Sequence, residues 1–518
     1  MNKKRFIAVF AIIALMGFSL APALSQQPYA IIPAGSDQAA IVKTAAAITP
    51  SARQLRWQQL ELTAFFHFGI NTFTGREWGT GKEDPAVFDP KKLDARQWVK
   101  TAKDAGFKQV ILTAKHHDGF CLWPTATTTH SVKASPWKQG KGDVVREVAA
   151  ACKKYGIGFG IYLSPWDMNA PQYGSDAYNQ LFLDQLTELL SWYGQVDEVW
   201  FDGANGEGAG GKKQVYDFER WYAHIRKLQP GAVIAVMGPD VRWVGTETGY
   251  GRDTEWSVLP AANLSQQSIS ANSQQDMNIK PSGFIKGADI GSRDKLKGAK
   301  ALVWYPAETD VSIRPGWFYH ADEDAKIKTP EKLTDIYYSS IGKNSVLLMN
   351  IPPNKEGLID DHDRAVLSEW TQIRKKTFGK NLAKDAIITC ENGLNEQALL
   401  DGDYSTSWTT KGSDSTAILE ITLPKAMRFD VIMLQENITI GQRIEDFSLE
   451  YLDKDGWKPL VKGTTVGYKR LLRFTPVESD KIRLHILSSR LNPTLSSFGL
   501  YKQANNELRS AKSHNNNK

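Results

Sequence analysis

The sequence predicts an α/β chain, a (β/α)8-like (TIM-type) barrel followed by an all-β sandwich. Three observations carry that expectation. From Glu61 to Phe378, short apolar runs alternate with amphipathic helical segments, the pattern of a parallel sheet covered by helices. So many strand–helix units over roughly 320 residues suit a barrel better than an open doubly wound sheet, and no Gly-rich phosphate fingerprint follows the first strand. Past Lys380 the helical period stops and short β-rich segments separated by turns take over.

The elements follow in order. "LTAFFHFGI" reads as the first strand and "DARQWVKTAKDAGF" as the first helix. "QVILTAKHH" and "GFGIYLSP" are the next strands, separated by the helix "DVVREVAAACKKYG", which ends at Gly156. The helix "AYNQLFLDQLTELLSWYG", the strand "EVWFDGAN", the helix "VYDFERWYAHIRKLQPG" and the strand "AVIAVMGPD" come after. Later segments are a strand in "ALVWYPAE", the helix "TPEKLTDIYYSSIGKN", the strand "VLLMNIPP" and a helix from Asp361 to Phe378. "AILEITLP", "FDVIMLQE", "FSLEYLD", "LLRFTP" and "KIRLHIL" are the expected sandwich strands.

The N-terminus reads as an export signal over residues 1–25: a basic "MNKKRF", an apolar "IAVFAIIALMGFSLA" and a small-residue cleavage site "ALS" before Gln26. Residues 26–50 are expected to form a polar, Ala-rich arm, 51–379 the barrel, 380–503 the sandwich and 504–518 a disordered polar tail. The chain is thus expected outside the cytoplasm, periplasmic or secreted, with no membrane association once the signal is removed. Net charge is +6, but acidic and basic residues are interleaved, so no nucleic-acid face is expected. Three cysteines at unrelated spacings give neither a disulfide framework nor a metal motif, so stability must come from a large core. Sixteen tryptophans favour a carbohydrate partner, because indole faces stack on the C–H faces of sugars.

In a barrel the functional face lies at the C-terminal strand ends. Four consecutive strands end there in polar or titratable groups: His67, then His116 and His117, then Tyr162, then Asp202. Four in register are hard to explain as packing, since buried imidazoles and carboxylates need partners. The first loop adds Glu77 and Trp78; the loop after the fifth strand adds Arg242, Glu247, Asp253 and Glu255. His116 and His117 are adjacent, no spacing completes a metal set, and no G-x-S-x-G elbow is present. The catalytic site is therefore expected to hold no metal and need no cofactor. Two carboxylates on a histidine- and tryptophan-lined face are the apparatus of glycoside hydrolysis.

"FHFGINTFTGREWG", "KHHDGFCLW", "GIYLSPWD" and "EVWFDGANG" together resemble glycoside hydrolase family 29, the α-L-fucosidases, over residues 50 to 380. The resemblance implies a retaining exo-enzyme that removes terminal α-L-fucose from oligosaccharides or glycoconjugates. It implies Asp202 as nucleophile and His67, Glu77, Trp78, His116, His117 and Tyr162 as fucose-binding positions. "VRWVGTETG" resembles the branch acting on α-1,3/1,4-linked fucose, which points to Glu247 as acid/base, with Glu255 as second choice or a partner of Arg252. Arg242 either contacts substrate or braces its loop. Trp317 is the favoured pocket wall against the C6 methyl, while Trp304 is pocket wall or core. "LLDGDYSTSWTT" resembles the start of discoidin-like (factor 5/8 type C) domains, which implies a structural calcium in that turn; Trp408 is part of the turn or core, and the sandwich either binds sugar or packs on the barrel. The alternative from another class is a catalytically silent fucose- or galactose-binding protein on the same scaffold.

Overall fold

The computed structural model describes residues 27–265 and 289–504; the expected signal segment and, past Ala504, the polar tail lie outside the described residues. Eight strands form the barrel, numbered here β1 (Leu62–Phe66), β2 (Gln109–Lys115), β3 (Gly158–Leu163), β4 (Glu198–Phe201), β5 (Val233–Val236), β6 (Arg242–Trp243), β7 (Ala307–Ser312) and β8 (Ser345–Asn350). Every pairing is parallel, and the ladders run in the order β5-β4-β3-β2-β1-β8-β7-β6. The two ends of that order follow each other in sequence, so the ring is nearly closed. Strands covered on both sides read as continuous apolar runs, and β1, β2 and β4 are buried throughout.

The covering helices start and stop where side chains satisfy their ends. Asp94 accepts from the amides of Arg96 and Gln97, Asp143 from Arg146, and Thr329 from Lys332 with Pro330 at the first helical position. The helix Val144–Tyr155 ends on Gly156 at φ 66°, a backbone conformation that glycine adopts without strain. Their apolar faces, including Trp98, Val148, Leu186 and Trp221, pack on the outside of the barrel strands.

Two barrel strands differ from expectation. "ALVWYPAE" is not one strand: Ala301–Trp304 lies in a small antiparallel sheet with Tyr29–Ile31 and Val258–Ala261, and the barrel strand begins after Pro306. Proline removes a ladder donor, which separates the two. β6 is only two residues long and sits in what the sequence suggested was a loop. Trp304 is fully buried in the small sheet's core, its indole N–H donating to Gln58 at 2.9 Å, so it is core and not pocket wall.

The expected arm is structured. Its helix Gln38–Ala47 buries Ile41, Val42 and Ala45 with Leu302, Trp304 and Ile438. In the sandwich, "AILEITLP" and "FDVIMLQE" belong to one long strand, Ala417–Gln435, as do "LLRFTP" and "KIRLHIL" in Arg470–Ser489; bulges carry the first past its irregular stretch. Trp408 is buried in the sandwich core. In the turn before it, Asp401 accepts from the amide of Asp403 and the hydroxyl of Thr406, and Asp403 from the amide and hydroxyl of Ser405.

Candidate active site

The C-terminal strand ends converge. Phe65, Tyr162 and Trp200 interlock edge-to-face inside the barrel and support the ring of polar groups above them. His67 leaves β1 and gives both its backbone N–H (3.1 Å) and its Nδ1 (3.0 Å) to Oδ1 of Asn350 at the end of β8. The orientation of Asn350 is fixed independently, because its amide nitrogen donates to Ser312 Oγ at 2.9 Å and to the Trp317 carbonyl at 2.8 Å. Nδ1 of His67 therefore carries the proton, and Nε2 is left as an acceptor suited to a hydroxyl. Burial holds this imidazole neutral, its pKa lowered to about 3.

His117 is set the same way. Ser164 Oγ donates to the Trp166 carbonyl and accepts from Nδ1 of His117 at 2.7 Å, so Nε2 again carries the lone pair. Burial lowers its pKa despite the nearby charge of Asp202. His116 lies against His117, the rings tilted by 39° with centroids 4.1 Å apart, and its pKa is held well below the ordinary range, first by burial. Three neutral imidazoles thus face one region. That region suits hydroxyls rather than anions.

Asp202 follows β4. One carboxylate oxygen accepts from the Ala204 amide at 2.6 Å and the other from the Tyr162 hydroxyl at 3.3 Å, with His117 Nε2 3.9 Å away. Burial and the charge of Asp202 raise the Tyr162 pKa well above 10, so the phenol remains a donor. Glu247 is solvent-accessible, and its carboxyl accepts from the Trp317 indole at 3.3 Å. Protein crowding around that carboxyl raises its pKa, with Asp202 and Glu77 adding to the shift and the indole opposing it. The Trp317 ring lies 5.0 Å from that of His67.

A model of the α-L-fucosidase family matches residues 38–376, and one of the F5/8 type C domain matches 386–498. The chain belongs to the α-L-fucosidase family. An Arabidopsis thaliana protein named alpha-L-fucosidase 1 is 44% identical over 465 residues, 87% of each chain. A Ruminococcus gnavus GH29 fucosidase solved in complex with fucose superposes with a TM-score of 0.78 at 33% identity, covering 93% of this chain and 98% of that one. The structure of SpGH29 gives 0.78 at 40% identity, with 88% and 98% covered.

Of the positions carried over from α-L-fucosidases, His67, His116, His117, Tyr162, Asp202, Glu247 and Trp317 are linked by the contacts above. Glu77 joins them indirectly: its carboxylate holds the loop of Trp317, accepting from the Trp317 amide at 2.7 Å and meeting His320 Nε2 at 2.8 Å. Trp78 stands at the rim, 60% exposed, its ring 6.2 Å from His117 and 5.9 Å from Trp166. Arg242 and Glu255 lie elsewhere. Both are fully buried and paired with each other, with Arg252 3.6 Å from the second oxygen of Glu255. A guanidinium committed to that pair does not reach a sugar, and a carboxylate so enclosed cannot hand a proton to a leaving group. Arg242 thus braces its loop, and Glu255 is not the acid. The sequence reading missed Asn350, although "LLMN" places it at a strand end, and missed Trp166, whose ring lies 4.9 Å from that of His117.

Proposed function

We propose that this protein is an exported, retaining exo-α-L-fucosidase that releases terminal fucose, α-1,3/1,4-linked, from oligosaccharides or glycoconjugates. One observation carries the mechanism: two carboxyl groups on one face lie in different environments. Asp202 lies at the end of β4 and accepts from the Tyr162 hydroxyl and the Ala204 amide, which fix its carboxylate in place. The Glu247 carboxyl is raised toward its protonated form, and an aglycone docked over it would strip its remaining water and raise it further. Asp202 forms a bond to the anomeric carbon as the bond to the aglycone oxygen breaks and the Glu247 proton passes to that oxygen. Glu247 then takes a proton from water as the water displaces Asp202, and the anomeric configuration is retained. The acceptor nitrogens of His67 and His117 and the Trp317 ring supply sugar recognition. Linkage preference is supported by "VRWVGTETG", and export by the basic and apolar N-terminal segments.

The test is leaving-group dependence. Glu247→Ala should lose about 100-fold or more on natural oligosaccharides and retain fucosyl fluoride, whose departure needs little protonation. Asp202→Ala should lose both. A silent sugar-binding protein would turn over neither substrate in the wild type. NMR of the first-formed anomer reads the stereochemistry, and initial β-fucose would overturn the retaining assignment.

A further inference from the structure

Glu247 sits in an excursion held only in part by its own residues, Thr246 and Thr248 pairing through their hydroxyls at 2.7 Å. Gly245 and Gly249, two residues to either side, both have positive φ (103° and 77°). The rest of its hold comes from outside. On the barrel side the Val244 amide donates to the Glu308 carbonyl (2.8 Å) and the Gly249 amide to the Asp310 carbonyl (2.9 Å). The returning stretch runs against the β-sandwich. There the Glu255 amide donates to Thr465 Oγ1 (3.0 Å), the Glu255 carbonyl accepts from Gln442 Nε2 (2.9 Å), and the Ser257 amide donates to Gln442 Oε1 (2.8 Å). Gln442 and Thr465 are buried, so no solvent substitutes for these bonds. The side chain of the same Glu255 pairs with Arg242 on β6, tying the end of the excursion back to its start.

We infer that the β-sandwich is a working part of the catalytic device: Gln442 and Thr465 anchor the main chain at Glu255, and the Arg242–Glu255 pair carries that anchor to the loop that aims Glu247. This rests on the reading of Glu247 as acid/base. Gln442 and Thr465 are positioning residues that touch no substrate. They act on proton delivery alone, so their loss should weigh on substrates in proportion to how much protonation the leaving group needs.

The experiment compares Thr465→Val, Thr465→Ser and Gln442→Met with wild type on phenyl α-L-fucoside and fucosyl fluoride, with thermal unfolding as the check on folding. Thr465→Val keeps the shape and removes the hydroxyl, so it serves if Gln442→Met folds poorly. Misaiming the acid should lower kcat on the phenyl fucoside about 10- to 100-fold, as small misplacements do. The fluoride should change by less than about twofold. Thr465→Ser should recover most of the loss, and the alkaline limb of the kcat profile should move to lower pH as the acid becomes more solvated. Equal losses on both substrates, or no loss on either, would overturn the inference. Glu247→Ala run in parallel separates the two claims. If it shows the leaving-group dependence and the sandwich variants do not, only the inference falls; if it does not, the acid assignment falls and takes the inference with it.

Discussion

Asn350 uses every hydrogen-bonding group of its side chain, and each use holds a group of the proposed sugar site. Its carbonyl oxygen selects the His67 tautomer, and its amide holds Ser312 and the main chain of Trp317. Asn350→Asp keeps the shape and the acceptor toward His67, but sets a carboxylate against the Trp317 carbonyl. The new charge should also raise the His67 pKa from its depressed value of about 3, so that Nε2 becomes protonated near neutrality and can no longer accept a hydroxyl. KM should rise about tenfold or more at pH 6, on the scale of one lost charge-sensitive hydrogen bond, and partly recover toward pH 8 as the imidazole deprotonates. A KM profile parallel to wild type across that range would show that the tautomer of His67 does not matter.

Strand β4 shows the same alternation at the scale of an element. Glu198, Trp200 and Asp202 are spaced by two, and the first two point into the barrel, where Glu198 accepts from Trp57 (3.1 Å) and Gln109 (2.6 Å) and Trp200 donates to Glu308 (2.8 Å). Burial raises Glu198 to about 8 and Glu308 in the same direction. A carboxyl whose folded pKa lies above its unfolded 4.5 contributes stability below pH 4.5 and loses it as pH climbs to about 8. Glu198→Gln stays neutral throughout, so its unfolding free energy in urea should gain on wild type by a few kcal/mol between pH 5 and 8. Two parallel stability–pH curves would refute this. The polar interior also explains what was legible. β1 to β5 and β8 announce themselves as apolar runs, and the four polar strand ends that follow them located the site. β7 reads "AETDVS", with Glu308 and Asp310 buried against the indoles of Trp200 and Trp243, and β6 is two residues, so neither carries an apolar pattern. Arg242 and Glu255 sit near Glu247 in the chain, but only tertiary structure shows them locked together inside the protein.

Across the whole molecule, the sandwich keeps a core of its own and also lends apolar residues to the core of the barrel. Val431, Leu471 and Tyr501 from sandwich strands belong to the buried cluster that includes Tyr338 and Ile341 of the barrel, and the Tyr501 ring lies 5.2 Å from that of Phe378 on the last barrel helix. The N-terminal helix Gln38–Ala47 adds a second joint, packing with Ile438 of the sandwich. Lys469 pairs with Glu61 just before β1, and Lys343, just before β8, pairs with Asp253 in the stretch that Thr464 also holds. An interface of core residues and half-buried ion pairs couples the two folds energetically, unlike the wetter contacts of domains that move independently. Calorimetry should therefore show one endotherm, with fucosidase activity and sandwich structure lost together. Tyr501→Ala opens a cavity in the shared cluster and should cost about 3–5 kcal/mol, the range for a large buried aromatic, moving that single transition down as a unit. If the variant instead resolves two endotherms, with activity following only one, the cores are thermodynamically separate and the sandwich cannot be a fixed support for the catalytic loop.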